Sequence, residues 1–376
     1  MKILLVHVSP VHKYPPVISI MQSLRDLGHE VHLISLNISD TIKMFCDEQN
    51  IGVIDIKMKF NFQNSVAIKF FGMLRIKKLI WEYIEKLYDK NSLIWVFDNT
   101  IKFLGKKLLN MNYVVHFFEL HDELRYYNKL PIIKINERKL CEKAQKVIHC
   151  EYNRAFITMV NWRLNKLPVV IPNKPYYRIS FKRNSEITNS TFAKNIMKKL
   201  KGKKIILYQG VLSQERPLVE YIKAVEKLGD DYAFVVMSES DNIYKDLNAK
   251  NYYFIPFINP PFHLEITSHA HIGVLSYYPT YNSINSPLNA IYCAPNKLYE
   301  YSMFGIPMIG NNIPGLTIPF EKFKCGININ EIKADQIINA ILDIEKEYDN
   351  MSINSRELYE SVDIKNIIRN EVLNME

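Results

Sequence analysis

The sequence predicts an α/β protein built as two doubly wound, Rossmann-like domains facing across a cleft, and three observations predict it. The chain opens as strand, loop, helix, turn and strand, which is a βαβ unit and implies a parallel sheet. A second alternating series begins at Lys204, after a polar stretch. With 376 residues and 48% apolar content, the chain is long for one core and rich enough for two.

Taken in order, Lys2–Val8 reads as the first strand, and Ser9–Pro16 as a loop stiffened by Pro10, Pro15 and Pro16. Val17–Leu27 has helical spacing and stops at Gly28, and Val31–Ser35 is the next strand. Leu93–Phe97, Tyr113–Phe118, Lys146–Cys150 (after a helical Lys139–Ala144) and Val169–Pro172 continue the sheet. Residues 174–203 are rich in Asn, Ser, Thr and Lys, and read as a linker holding one helix. The second series runs through strand Ile205–Gln209, helix Leu218–Leu228, and strands Ala233–Met237, Tyr252–Pro256 and Ile272–Leu275. A helical pattern from Ala334 to Tyr348 closes it. The expected division is residues 1–175, a linker at 176–203, a second domain at 204–354, and a terminal helix over 355–376 of the kind that crosses back to the first domain.

Lys and Arg exceed Asp and Glu by 48 to 39, a net +9 that favours anionic partners. The five cysteines are scattered, with no CxxC, so neither a disulfide framework nor a cysteine zinc site is expected, and a reducing cytosol fits. The first strand is too short and too interrupted to be a secretion signal. No run approaches the ~18 apolar residues of a membrane span. The expected location is cytoplasmic, with peripheral contact at a membrane left open.

The rest is organised around Cys293–Leu316, CAPNKLYEYSMFGIPMIGNNIPGL. After Pro295 a helix of about three turns is expected, ended by Gly305 in a left-handed conformation and by Pro307. Pro307–Gly310 is a short buried strand. Asn296 and Lys297 in the first turn suit a negatively charged group, because unpaired N–H groups and a full charge converge there. Glu300 lies three residues on, on the same face, where it would accept hydrogen bonds from ribose hydroxyls. The pairing suggests a nucleoside diphosphate.

Gln209-Gly210-Val211-Leu212…Glu215-Arg216-Pro217, Ser286-Pro287-Leu288-Asn289 and Ala294 to Tyr301 together resemble the GT-B glycosyltransferases. The resemblance is to the retaining, family-4-like enzymes of bacterial surface-polysaccharide assembly, and it covers roughly residues 205–316. Leu27-Gly28-His29-Glu30-Val31 and Val170-Ile171-Pro172-Asn173 fit it more loosely. The departures are specific. The family's first glutamate, separated from the second by seven intervening residues, would fall on Tyr292, and its usual Arg after the glycine is Val211. The Gly-Gly of many first-domain loops is replaced by His12-Lys13-Tyr14-Pro15-Pro16.

The resemblance implies transfer of a sugar from a nucleoside diphosphate, UDP or GDP, to a hydroxyl of a saccharide or lipid-linked acceptor, with retention. No cofactor and no metal is implied, and no Asp-x-Asp is present. Arg216 and Lys297 would stabilise the leaving diphosphate. Gly210, Asn289, Asn296, Leu298 and Glu300 would complete the donor site, with the base near Phe257. The turn 281–286 would face the sugar. Just after a strand of the first domain, His121 would hydrogen-bond the sugar and Glu119 or Asp122 would orient or deprotonate the acceptor, with His12 also on the acceptor side. Each has a plainer reading as a strand-end cap.

Val66–Tyr88 alternates aromatic and aliphatic residues with Lys69, Arg75, Lys77 and Lys78, a pattern that suits either packing on the sheet or an anionic membrane surface. No nucleic-acid motif interleaves with these charges. Two rival readings stand beside the transferase: a catalytically silent GT-B partner subunit, and a sugar-nucleotide epimerase drawing on Glu119, Asp122 and Glu300.

Overall fold

The computed structural model describes residues 1–57, 66–120, 137–177, 180–280 and 287–375, except for the side chains of 66, 67 and 69. Two units result: Met1–Pro172 with Ile364–Glu376, and Asn173–Asp363. Each holds one all-parallel sheet.

The first sheet contains β1 (Lys2–His7), β2 (Glu30–Leu36), β3 (Gly52–Ile56), β4 (Leu93–Phe97), β5 (Tyr113–Phe117), β6 (Lys146–His149) and β7 (Val169–Val170). Its order is β3-β2-β1-β4-β5-β6-β7. The chain therefore winds outward from β1 in one direction and then, from β4, in the other. A sheet wound this way is covered on both faces, so its central strands are largely apolar, with His7 of β1 and His116 of β5 as buried exceptions. Leu4, Val6, Ile94, Val96 and Val115 meet Ile76, Ile80, Trp81 and Ile84 of helix Val66–Leu87 in one core cluster. The sequence pattern had left β3 and the helix Asp40–Glu48 unassigned; Ser39 caps that helix by accepting from the Ile42 N–H.

The second sheet contains β8 (Lys204–Gln209), β9 (Tyr232–Ser238), β10 (Tyr252–Pro256), β11 (Ile272–Leu275), β12 (Met308–Asn311) and β13 (Gly326–Ile329). Its order is β10-β9-β8-β11-β12-β13, so the winding reverses between β8 and β11. Ligands in open α/β sheets bind beyond the carboxyl ends of the strands at such a point.

Residues 176–203, read as a linker from composition, are part of this second unit. Ser190 caps helix Thr191–Lys199, whose Ala193 and Met197 join Ile187 and Leu200 in the core. The apolar spacing is helical, but lysines and asparagines dilute it. The expected single terminal helix is two pieces. Tyr348–Glu360 packs Leu358 into the second unit's core. Ile364, Ile368 and Val372, one turn apart each, are buried in a segment of the first unit.

Candidate donor-binding site

The site grows from the end of β8. Gln209 is buried, and Gly210 follows with φ +130°, a conformation that disfavours any side chain. A Cβ built there would lie 3.5 Å from Lys297 Nζ. Lys297 itself is carried by helix Asn296–Ser302, which Tyr301 fixes to the sheet. The Tyr301 ring occupies the space a Cβ on Gly273 of β11 would need (2.3 Å), and its hydroxyl donates to the Leu207 carbonyl. Gly305 turns the chain with φ +62°, as expected, against the Ser352 carbonyl. The helix is seven residues long rather than three turns. Its end therefore contributes less dipole than anticipated, and anion attraction falls to the side chains.

Those side chains are cationic and crowded. Lys297 is 6% exposed, with Nζ 4.1 Å from the Tyr208 ring centroid and 5.1 Å from that of Tyr277. The Arg216 guanidinium lies 5.3 Å from the same Tyr277 ring and hydrogen-bonds the Tyr208 hydroxyl, which donates to the Val211 carbonyl. No carboxylate of the described residues is within ion-pair distance of Lys297. Burial first, and then the nearby Arg216 charge, hold its pKa well below the usual lysine value, with Glu300 opposing. A buried ammonium next to a second cation is costly, and a polyanion at the carboxyl end of β8 would relieve that cost.

Glu300 sits one turn deeper and is 4% exposed. The sequence suggested a carboxylate open to a ribose. Instead Oε2 accepts from Gln209 Nε2 at 2.5 Å, and His263 Nε2 lies 3.0 Å from Oε1, so one lone pair on each oxygen is already used. Leu298 departs from its expected role: its side chain is in the core cluster and its N–H is bonded to the Pro295 carbonyl, leaving it a packing residue. Asn296 opens the helix half-buried, and Asn289 lies in the short helix Leu288–Ile291. Phe257 follows β10, partly exposed, its N–H held by the Ser238 carbonyl.

In the first unit, Glu119 follows β5 with its side chain 52% exposed, and its Oε2 lies 3.6 Å from Nη1 of the buried Arg154. That pairing was not legible in the sequence, and it favours a fixed, charged carboxylate over a mobile base. Asp98, whose Oδ1 accepts the N–H groups of Phe118 and Glu119, shapes the same turn. His12 lies in the single turn Val11–Lys13. His121, Asp122 and the turn 281–286 lie outside the described residues. A cavity of about 440 Å³ opens at the amino ends of β1, β4 and β6, lined by Lys90, Asn112 and Lys146 among others. It is at the wrong end of the strands for the ligand position such sheets use.

Solved structures resemble the chain along its whole length. The Anabaena protein HepE, crystallised with UDP and glucose, superposes with a TM-score of 0.64 at 14% identity over 98% of this chain and 97% of its own. Sucrose-phosphate synthase from Thermosynechococcus elongatus gives 0.64 at 15%, over 98% and 96%. The UDP-forming α,α-trehalose-phosphate synthase from Burkholderia vietnamiensis gives 0.65 at 11%, over 99% and 98%. The fold is that of the GT-B glycosyltransferases. No family profile and no curated protein matches the sequence.

Within this GT-B fold, Tyr208, Tyr277, Gln209, His263 and Thr267 build the second unit's site alongside the expected residues. Gln209 was inside the motif that carried the resemblance, and Tyr208 immediately precedes it. Tyr277, His263 and Thr267 had no sequence signal. Among the described residues, no cluster of three or more His, Cys, Asp or Glu is placed to hold a metal ion, and all five cysteines are buried thiols.

Proposed function

We propose that this protein transfers a sugar from a nucleoside-diphosphate sugar to a hydroxyl of a saccharide or lipid-linked acceptor, with retention, in the assembly of a surface polysaccharide or glycolipid. One observation carries the reading: Lys297 and Arg216 share the Tyr277 ring at the winding reversal of the second sheet, and no carboxylate of the described residues is within ion-pair distance of Lys297. As the glycosidic bond breaks, the departing diphosphate gains charge, and cations fixed in a buried site lower that barrier. The two side chains supply charge-assisted contacts of about 1.5–3 kcal/mol each. Glu300 holds the ribose through its remaining lone pairs. Solved structures of this fold crystallised with UDP and with UDP-glucose support a nucleotide donor, with UDP or GDP as the carrier and no metal required.

Glu119, His121, Asp122 and His12 form the proposed acceptor side. An anionic membrane surface is the proposed setting for it. Helix Val66–Leu87 buries Ile76, Ile80, Trp81 and Ile84, yet leaves Ile68, Phe70, Phe71, Met73 and Leu74 exposed beside Arg75 and Lys78. Exposed aromatics flanked by cations suit a lipid headgroup layer. No helix among the described residues is long and apolar enough to cross a membrane.

A thermal-shift screen against UDP-, GDP-, ADP- and CMP-sugars, followed by turnover of the best hit, tests the reading. A ligand at ~100 times its Kd stabilises by about 2.7 kcal/mol. Binding with neither transfer nor hydrolysis would favour a silent partner subunit, a reading that Val211 and Tyr292 at the family's charged positions support. No binding at all would sink both.

A further inference from the structure

Beneath the two cations lies a chain of directional hydrogen bonds that the transferase reading does not use. Thr267 Oγ1 donates to Gln209 Oε1 at 2.7 Å, and its other near neighbour is the His263 carbonyl at 3.1 Å. Because its oxygen is taken, the Gln209 amide must present its nitrogen to Glu300 Oε2, 2.5 Å away. His263 Nε2 meets the other carboxylate oxygen at 3.0 Å. His263 and Thr267 bracket one turn of helix His263–Thr267, on one face, so a single rigid element fixes both ends of the chain. All four side chains are buried.

The chain has a feature that stability alone does not explain. With Nε2–H donated to Glu300, His263 Nδ1 is left buried with no hydrogen-bond partner. An orphaned buried nitrogen costs free energy, and an apolar side chain in this core would avoid that cost. The Tyr177 hydroxyl, close enough to feel the Glu300 charge, is buried and unpartnered too. Unsatisfied polar groups collected around one carboxylate mark a position kept for what the carboxylate does.

We propose that His263, with Gln209 and Thr267 behind it, is the positioning residue for Glu300, fixing the carboxylate in the one orientation in which its free lone pairs meet the two ribose hydroxyls of the donor. The inference rests on the nucleotide-sugar reading above. It assigns ribose selectivity to a residue that need not touch the donor. A carboxylate on a flexible stem has several rotamers, and two donors on opposite oxygens leave one.

The test compares UDP or GDP, whichever binds tighter, with its 2′,3′-dideoxy analogue, by calorimetry on the intact chain. The wild type is expected to prefer the ribonucleotide by at least about tenfold. His263→Leu should cut that preference to within about threefold of unity, with the Kd for the dideoxy analogue nearly unchanged. His263→Gln, which keeps a donor, should retain part of it, and Thr267→Val, one bond removed, should lose a smaller part. Circular dichroism and melting temperature establish that each variant is folded, and the Gln and Val variants serve if His263→Leu is not. A preference unchanged across the folded variants, or an equal weakening of both ligands, overturns the proposal and leaves the donor site standing. A wild type that binds neither nucleotide refutes the donor reading and this inference together.

Discussion

Replacing Lys297 by methionine is expected to move stability and nucleotide binding in opposite directions. Lys297 is 6% exposed, its ammonium lies against two tyrosine rings, and the nearby Arg216 charge outweighs the opposing charge of Glu300. Methionine matches the stem in length and adapts to the same space, so little packing is lost. Removing the buried charge should raise unfolding free energy by about 1–3 kcal/mol, the scale on which buried ionic groups yield to apolar replacements. Losing a charge-assisted contact should weaken UDP or GDP by about 1.5–3 kcal/mol, roughly ten- to a hundredfold. The pH dependence supplies an independent check. Because the folded pKa lies below the unfolded 10.5, the unfolded chain binds more protons up to that pH, and wild-type stability rises as pH climbs toward it. The variant should lack that slope. Urea titrations at pH 7 and 9 with calorimetric Kd values test all three. A variant that is clearly less stable, or that binds the nucleotide as tightly as wild type, would refute the electrostatic account of the site.

Further outcomes are expected elsewhere. Arg216→Gln should weaken nucleotide binding about tenfold or more by the same contact scale, with a melting temperature within a few degrees of wild type. Gly273→Ala would force a Cβ to 2.3 Å from the Tyr301 ring, so it should destabilise by about 1–3 kcal/mol and displace the helix bearing Lys297 and Glu300, seen as a joint fall in melting temperature and affinity. In the first unit, burial pulls the His7 and His116 pKa values from 6.5 down to about 4 and about 3, against the opposing charge of Asp98. The unfolded chain then takes up protons first as pH drops through 6.5. Together they should cost about 3 kcal/mol of stability between pH 6.5 and 5, a loss His116→Leu would roughly halve; equal acid sensitivity in the variant would contradict this. Phe71→Glu with Leu74→Glu should abolish sedimentation with anionic vesicles while leaving nucleotide affinity unchanged.

The strand pattern was legible because parallel strands buried on both faces write continuous apolar runs, as in Leu93–Phe97 and Ile272–Leu275. Gly305 and Pro307 announced the end of the helix that carries Lys297, and the motif around it pointed to the carboxyl end of β8. The one helix expected within residues 174–203 is Thr191–Lys199, but its few apolar residues sit among exposed lysines, so the stretch read as a linker and not as part of the second core. Asp40–Glu48 was hidden by its length. Arg154 and Glu119 are 35 positions apart in the chain, and nothing local joins them.

By itself, then, the sequence determined which local segments are strands and helices, where the winding places its charged motif, and that Arg216, Lys297 and Glu300 belong to one region. Those are consequences of short-range periodicity, turn chemistry and residue type. Only the tertiary structure decided that Lys297 lies over Gly210 against two tyrosine rings with no carboxylate of the described residues within ion-pair distance, that Leu298 points into the core, and that Glu300 is held by Gln209 and His263. Each of these depends on residues tens of positions apart being brought to van der Waals and hydrogen-bond distance. Burial then fixes the cost of an unpaired charge, and that cost is set by packing and not by order along the chain.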